Sequence, residues 1–276
     1  MISASDVKRL RDMTGAGMMD CKKALTESGG DFDAAIDFLR KRGQKVSANR
    51  ADREAKEGVI VASVNGDAST GVILEVNCET DFVARNDEFQ RFASEVAGVA
   101  LNGKPRDLDA LLSLNLPDGV SVRSRVDELT GKIGELIGVR RFSLVKAPTG
   151  GRVVAYVHPG SRLGVIVTMS GNGNLDDVGR DVAMQVAAMN PVATRRDEVD
   201  ASVQEKEMEI AREIARNEGK PENIVDRIAT GKLDRFFKDN VLLEQAFVKD
   251  SSQTVEQILR AAGSSVHGFE RYALGA

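Results

Sequence analysis

Apolar residues near the start of the chain recur at helical spacing. Val7, Leu10 and Met13 follow Ser5 and Asp6, which predicts a capped amphipathic helix stopped by Thr14-Gly15-Ala16-Gly17. Met18, Cys21, Ala24 and Leu25 carry the same period as far as Gly29-Gly30. Asp31 is then placed to cap a third helix bearing Ala34, Ile36, Phe38 and Leu39 and ending at Gly43. Residues 1–43 therefore predict a three-helix unit. From 44 to 57 nearly every residue is polar or small and no apolar stripe forms, so this stretch is expected to be a charged linker, helical or flexible.

The period then changes from helical to alternating. Val59-Ile60-Val61-Ala62-Ser63-Val64, the turn residues Asn65-Gly66-Asp67, and Gly71-Val72-Ile73-Leu74-Glu75-Val76-Asn77-Cys78 predict a β-hairpin dense in β-branched side chains. Helical patterns follow through Phe89, Phe92, Val96 and Val99, then Leu108, Leu111 and Leu112, then Val126, Leu129, Ile133 and Leu136. A strand over Val139–Val145 closes this unit, which spans 58–147.

The unit occurs twice. Val153-Val154-Ala155-Tyr156-Val157 and Gly164-Val165-Ile166-Val167-Thr168-Met169 repeat the first hairpin at an offset of 93 positions, Ile60 matching Val153 and Gly71 matching Gly164. Arg141-Phe142 resembles Arg271-Tyr272 at an offset of 130, which puts 37 additional residues in the second copy, 148–276. The candidate insertion, at about 195–231, has a narrow apolar stripe of Val199, Val203, Ile210 and Ile214 amid charge, a break at Gly219-Lys220-Pro221, and Ile224, Val225 and Ile228 beyond it. A projecting helical hairpin is expected. The fold class is α+β: an N-terminal three-helix domain, then a duplicated core of two antiparallel three-stranded sheets with flanking helices.

Charge and composition narrow the function. A net charge of −4 and a pI near 5.5 argue against a dedicated nucleic-acid binder, and with no Trp, two Tyr and ten Phe there is no aromatic platform for bases. No run reaches the roughly 18 apolar residues of a membrane span and the N-terminus lacks signal-peptide order, so a cytoplasmic protein is expected. Cys21 and Cys78 stand far apart, each within an apolar pattern, and read as packed thiols rather than as a disulfide, a zinc pair or nucleophiles.

Covalent chemistry finds little support. Gly15-Ala16-Gly17-Met18-Met19-Asp20 and Gly171-Asn172-Gly173-Asn174-Leu175-Asp176 both put Asp where a dinucleotide loop needs its third glycine, and no Walker-type loop occurs. His158 and His267 lack metalloprotease or hydrolase company and read as structural or surface histidines. No cofactor and no metal is expected.

After Cys78 the chain runs Glu79-Thr80-Asp81-Phe82-Val83-Ala84-Arg85-Asn86. On the residues alone, Phe82 reads as a core side chain capping the hairpin. Val76 to Ala84, however, resembles the signature of the elongation factor Ts family, as does Thr14-Gly15-Ala16-Gly17-Met18-Met19-Asp20-Cys21-Lys22-Lys23-Ala24-Leu25. Lys132-Ile133-Gly134-Glu135 and Tyr156-Val157-His158 extend the similarity, which runs in the family's order from residue 7 to about 274.

That resemblance implies a UBA-like first domain and a nucleotide exchange factor whose partner is elongation factor Tu, GDP-bound and nucleotide-free. It implies that Thr80, Asp81, Phe82 and Val83 enter the partner's nucleotide domain and disturb its bound Mg²⁺, with Phe82 as the wedge. Ile133, Gly134, His158, Met18 and Met19 would be further partner contacts, although Met18 reads equally well as helix core. The inserted hairpin is the candidate surface for dimerising the complex. Some members continue into a C-terminal helix that clasps the partner, whereas this chain stops at Ala276, so the grip is expected to rest on the first domain and the core. Two other classes remain: an RNA-binding accessory protein, which needs a basic face, and a small-molecule enzyme using His158 or a cysteine, which needs a pocket joining such groups.

Overall fold

The computed structural model describes residues 2–50 and 53–276. Helices α1 (Ala4–Thr14), α2 (Met18–Glu27) and α3 (Phe32–Arg50) form the N-terminal unit around Val7, Leu10, Cys21, Ala24, Leu25 and Ala35. The cap of α1 is Ser3 in a capping box with Asp6, two residues ahead of the expected Ser5. Met13 and Met18, read as part of the inward stripe, are 55% and 51% exposed. So small a unit has a core one layer deep, and positions flanking the 14–17 turn have nothing to cover them.

Gly43 does not end α3, which runs on to Arg50 through part of the expected linker; residues 51 and 52 of that linker, like Met1, lie outside the described residues. Gly43 instead marks a close crossing with α7 (Val122–Ile133). A Cβ on Gly43 would stand 2.9 Å from the Asp127 carbonyl, and one on Gly131 would stand 2.7 Å from the Gly43 Cα. Two bare glycine faces let the helix backbones approach.

In the first half, β1 (Glu57–Val64), β2 (Thr70–Cys78) and β3 (Gly138–Lys146) form an antiparallel sheet in that order. Short α4 (Asp81–Ala84), amphipathic α5 (Asp87–Gly103), α6 (Leu108–Ser113) and α7 cover one face, burying Val72, Leu74, Val76, Phe89, Phe92 and Val96. In the second half β4 (Arg152–Val157), β5 (Leu163–Gly171) and β8 (Ser264–Ala273) form an antiparallel sheet in that order, and α8 (Leu175–Met189) covers it. The α+β class and the two three-stranded sheets are as expected.

The halves meet through equivalent positions. Ile60 and Ile73 pack against Val153 and Ile166, their mates 93 positions on. The Val153 N–H donates to the Ala68 carbonyl and the Ile60 N–H to the Ser161 carbonyl, both at 2.7 Å, so each hairpin turn seals the other copy's first strand. Ala68 and Ser161, also 93 apart, share φ 55°.

The closing strands correct the sequence alignment. Gly71 faces Val145 and Gly164 faces Tyr272, an offset of 127 rather than 130 and hence 34 extra residues beyond the hairpin offset of 93. The Arg-aromatic pair that suggested 130 is not equivalent. The true landmark is a bulge: Arg140 is the unpaired extra residue in β3 and His267 in β8, again 127 apart.

The insertion is a hairpin of α9 (Ala201–Asn217) and α10 (Glu222–Asn240), longer at its C-terminal end than the expected 195–231. Phe236 and Phe237 prolong α10 because they pack with Ala193, Val199 and Val241. A small hairpin of β6 (Ala246–Phe247) and β7 (Asp250–Thr254), not expected, leads into α11 (Val255–Ala261) and β8. No helix among the described residues is long and apolar enough to cross a membrane.

Candidate functional site

Strand β2 and helix α5 are joined by residues 79–86, whereas their counterparts β5 and α8 are joined by 172–174 alone. The first copy thus carries a longer connection, and it holds Thr80, Asp81, Phe82 and Val83. Thr80 caps the single turn of α4, its hydroxyl accepting from the Val83 N–H at 3.4 Å. Val83 turns inward against the sheet-one core. Phe82 points away and is 83% exposed, more than any other large apolar side chain among the described residues. The reading of Phe82 as a core residue is therefore wrong: Cys78, Ala84 and Phe89 already fill the space beneath the strand end.

The turn is braced from beneath. Glu135, just beyond α7, accepts from the Thr80 N–H at 3.0 Å with one carboxylate oxygen and from the Thr80 hydroxyl at 2.6 Å with the other. Glu79 reciprocates: it accepts from the Leu136 N–H at 2.7 Å and from Arg50 and Arg53 at 2.9 and 3.0 Å. Burial pushes the Glu79 carboxyl up, but the Leu136 N–H and the Arg53 and Arg50 guanidiniums outweigh it and hold its pKa below the ordinary value. Asp81 is partly exposed and accepts from Arg85 at 2.9 Å.

The other candidate residues lie on three further segments. Ile133 ends α7 and packs into the core, and Gly134 closes that helix at φ 80° beside Glu135. Lys132, one residue earlier, lies against Gly15 of the N-terminal unit and pairs with Glu88 at 2.7 Å. This joins the α1–α2 turn to the end of α7. Met18 and Met19, 51% and 73% exposed, follow that turn, so the reading of Met18 as helix core is overturned. His158 is exposed at the β4–β5 turn, its Nδ1 2.8 Å from the Tyr156 hydroxyl. Arg162 of the same turn pairs with Glu57, and its pKa is raised by that hydrogen bond and by the negative charges of Glu57 and Asp81.

Glu79 and Glu135 were not among the expected site residues. The only sequence signal for them was their presence within Val76–Ala84 and Lys132–Glu135, because their role appears only when positions 55 to 57 apart in the chain meet. Cys78 lies beneath the turn, its thiol donating to the Thr80 carbonyl at 3.1 Å, whereas Cys21 lies in the N-terminal core. Both are buried, and burial, followed by the charges of Glu135 and Glu57, pushes the Cys78 thiol up to about 12.

A duplicated α+β core with a helical unit in front, presenting its candidate residues on a projecting turn rather than in a cavity, is the build of a protein that works by docking. The chain belongs to the elongation factor Ts family. The family model described as Elongation factor TS matches residues 79–276. A protein named Elongation factor Ts from Chlorobium phaeobacteroides (strain BS1) is 48% identical over 286 residues, spanning 100% of this chain and 99% of the relative. Another of that name from Christiangramia forsetii is 47% identical over 99% of both chains. A third, from Thermobifida fusca (strain YX), is 47% identical over 99% of this chain and 98% of the relative.

Proposed function

We propose that this chain is the guanine nucleotide exchange factor for elongation factor Tu in translation elongation, acting in the cytoplasm without covalent chemistry. Its effector is the segment Thr80-Asp81-Phe82-Val83. The observation that carries the reading is Phe82, an aromatic ring held in water at the tip of a turn whose base is fixed by two carboxylates. Leaving such a ring exposed forgoes roughly 1.5 to 3 kcal/mol of burial, which docking into a partner recovers.

Mg²⁺ holds GDP through phosphate oxygens and waters in strict octahedral geometry, so a small displacement of the partner's ligands by the Phe82 ring and the Asp81 charge weakens the nucleotide site. A coupling of about 3 kcal/mol changes nucleotide affinity about 150-fold, and GDP weakens docking of this chain by the same factor. Further contacts add to the wedge: Ile133, Gly134 and His158 of the core, and Met18 and Met19, whose flexible thioethers suit an adaptable surface. The α9–α10 hairpin, far along the chain from this turn, is the surface through which the complex dimerises.

The test is release of fluorescent GDP from purified elongation factor Tu, with the wild type and with Asp81→Ala plus Phe82→Ala. Acceleration by the wild type that the double variant loses is the expected result. No acceleration by the wild type sinks the exchange reading, and full activity of the variant moves the effector elsewhere.

A further inference from the structure

The duplication supplies an internal control for the bracing of the projecting turn. Positions 79 and 136 of the first copy correspond to 172 and 263 of the second, by the offsets of 93 and 127. In the second copy these segments meet backbone to backbone, the Asn172 N–H donating to the Gly263 carbonyl at 3.2 Å. In the first copy side chains bridge them. The Leu136 N–H goes to the Glu79 carboxylate at 2.7 Å, and the Thr80 N–H and hydroxyl go to Glu135 at 3.0 and 2.6 Å. The fold closes this corner without carboxylates where no projecting turn exists, and uses two where one does.

We infer that Glu135, with Glu79 as its reciprocal partner, is a positioning residue for exchange: it fixes the direction in which Phe82 projects, and it acts after docking. The inference rests on the exchange reading above. Glu135 binds both Thr80 donors at once, so it fixes the N-cap in position and in rotation about the strand end. Val83 anchors the inner side of α4 in the core, leaving Phe82 a single outward direction. Without the clamp the one-turn helix α4 keeps its few backbone bonds, the Cys78 thiol on the Thr80 carbonyl at 3.1 Å, the Thr80–Val83 cap bond at 3.4 Å and the Asp81–Arg85 pair, none of which holds the Thr80 N–H. A helix of one turn is not stable by itself in water. Phe82 would then sample several directions, and a wedge that must act at one point loses rate rather than affinity.

The measurement is GDP release from elongation factor Tu as a function of exchange-factor concentration, for wild type, Glu135→Gln and Glu135→Ala, with amide hydrogen exchange at Thr80 on each protein alone. Glu135→Gln keeps one good acceptor and should fall between the other two. Glu135→Ala should lower the maximal release rate by roughly tenfold or more, leave the half-saturating concentration within about twofold, and speed exchange of the Thr80 amide.

Equal maximal rates for wild type and Glu135→Ala overturn the positioning role, whether or not the Thr80 amide has become faster. A loss carried entirely by the half-saturating concentration also overturns it, since that is a docking contact. If Glu135→Ala fails to fold, the isosteric Glu135→Gln decides by the same criteria. A wild type that does not accelerate release at all brings down the exchange reading and the positioning role together, an outcome distinct from the first two.

Discussion

Gly71 lies directly beneath Val153: a Cβ on Gly71 would stand 2.6 Å from the Val153 Cγ1, and its mate Gly164 faces the Ile60 Cγ2 at 2.7 Å. Both glycines are buried in the contact between the two sheets, and neither has a left-handed backbone, so only packing is at stake. Gly71→Ala and Gly164→Ala should each destabilise the protein by about 1 to 3 kcal/mol, the cost of overpacking a filled interior. Urea denaturation reads this directly. An alanine variant as stable as the wild type would mean that the halves meet less tightly than these distances require.

Phe82→Ala separates stability from activity. A ring that is 83% exposed contributes little to folding, so the variant should unfold within about 0.5 kcal/mol of the wild type. Exchange on elongation factor Tu should fall sharply. A drop in melting temperature comparable to that of a core variant such as Phe89→Ala would place Phe82 inside after all.

How far the sequence anticipated these features follows from the range of the signals. The hairpins were legible because alternation in Val59–Val64 and Gly71–Cys78 is a local pattern, and the 93-residue offset repeats residue by residue. The closing strands were misaligned by three because Arg141-Phe142 and Arg271-Tyr272 look alike, whereas the bulges at Arg140 and His267 that fix the register leave no mark in composition. Strand β7 was missed because Asp250-Ser251-Ser252-Gln253-Thr254 has no apolar face. At the site, an aromatic next to a strand reads as core by default, and only the family signature pointed Phe82 outward. Glu135 stayed hidden because its partner Thr80 is 55 residues away.

Docking of the helical unit on the core should depend on the glycine crossing. Since a Cβ at Gly131 would stand 2.7 Å from the Gly43 Cα, Gly131→Ala meets backbone that cannot swing aside and must push α3 off α7. The pair Arg40–Glu128 across that crossing is a surface ion pair, too weak to hold the helices together against the clash. Limited proteolysis should cut the variant within residues 44–57 markedly faster than the wild type, while the core fragment stays intact. Equal cleavage rates would show that the crossing does not govern docking.

The Glu79 carboxylate gives a pH signature with a definite sign. Its pKa in the folded protein lies below the ordinary 4.5, so it binds its proton less readily folded than unfolded. The stabilisation is therefore fully present above the unfolded value and is lost as pH falls through the depressed one. Glu79→Gln preserves the shape and an oxygen for the Leu136 N–H, and removes the charge that Arg50 and Arg53 meet. At pH 7 the variant should be less stable than the wild type. As the pH is lowered from about 5 towards 3 the gap should close, because wild-type Glu79 becomes neutral too. Other carboxylates whose pKa is lowered in the fold, such as Asp107 and Asp118, are common to both proteins and cancel in the difference. Urea midpoints for the two proteins across this range test the claim, and a gap that is constant from pH 7 to pH 3 would mean that the ionised carboxylate of Glu79 contributes nothing to holding the end of α3 against the projecting turn.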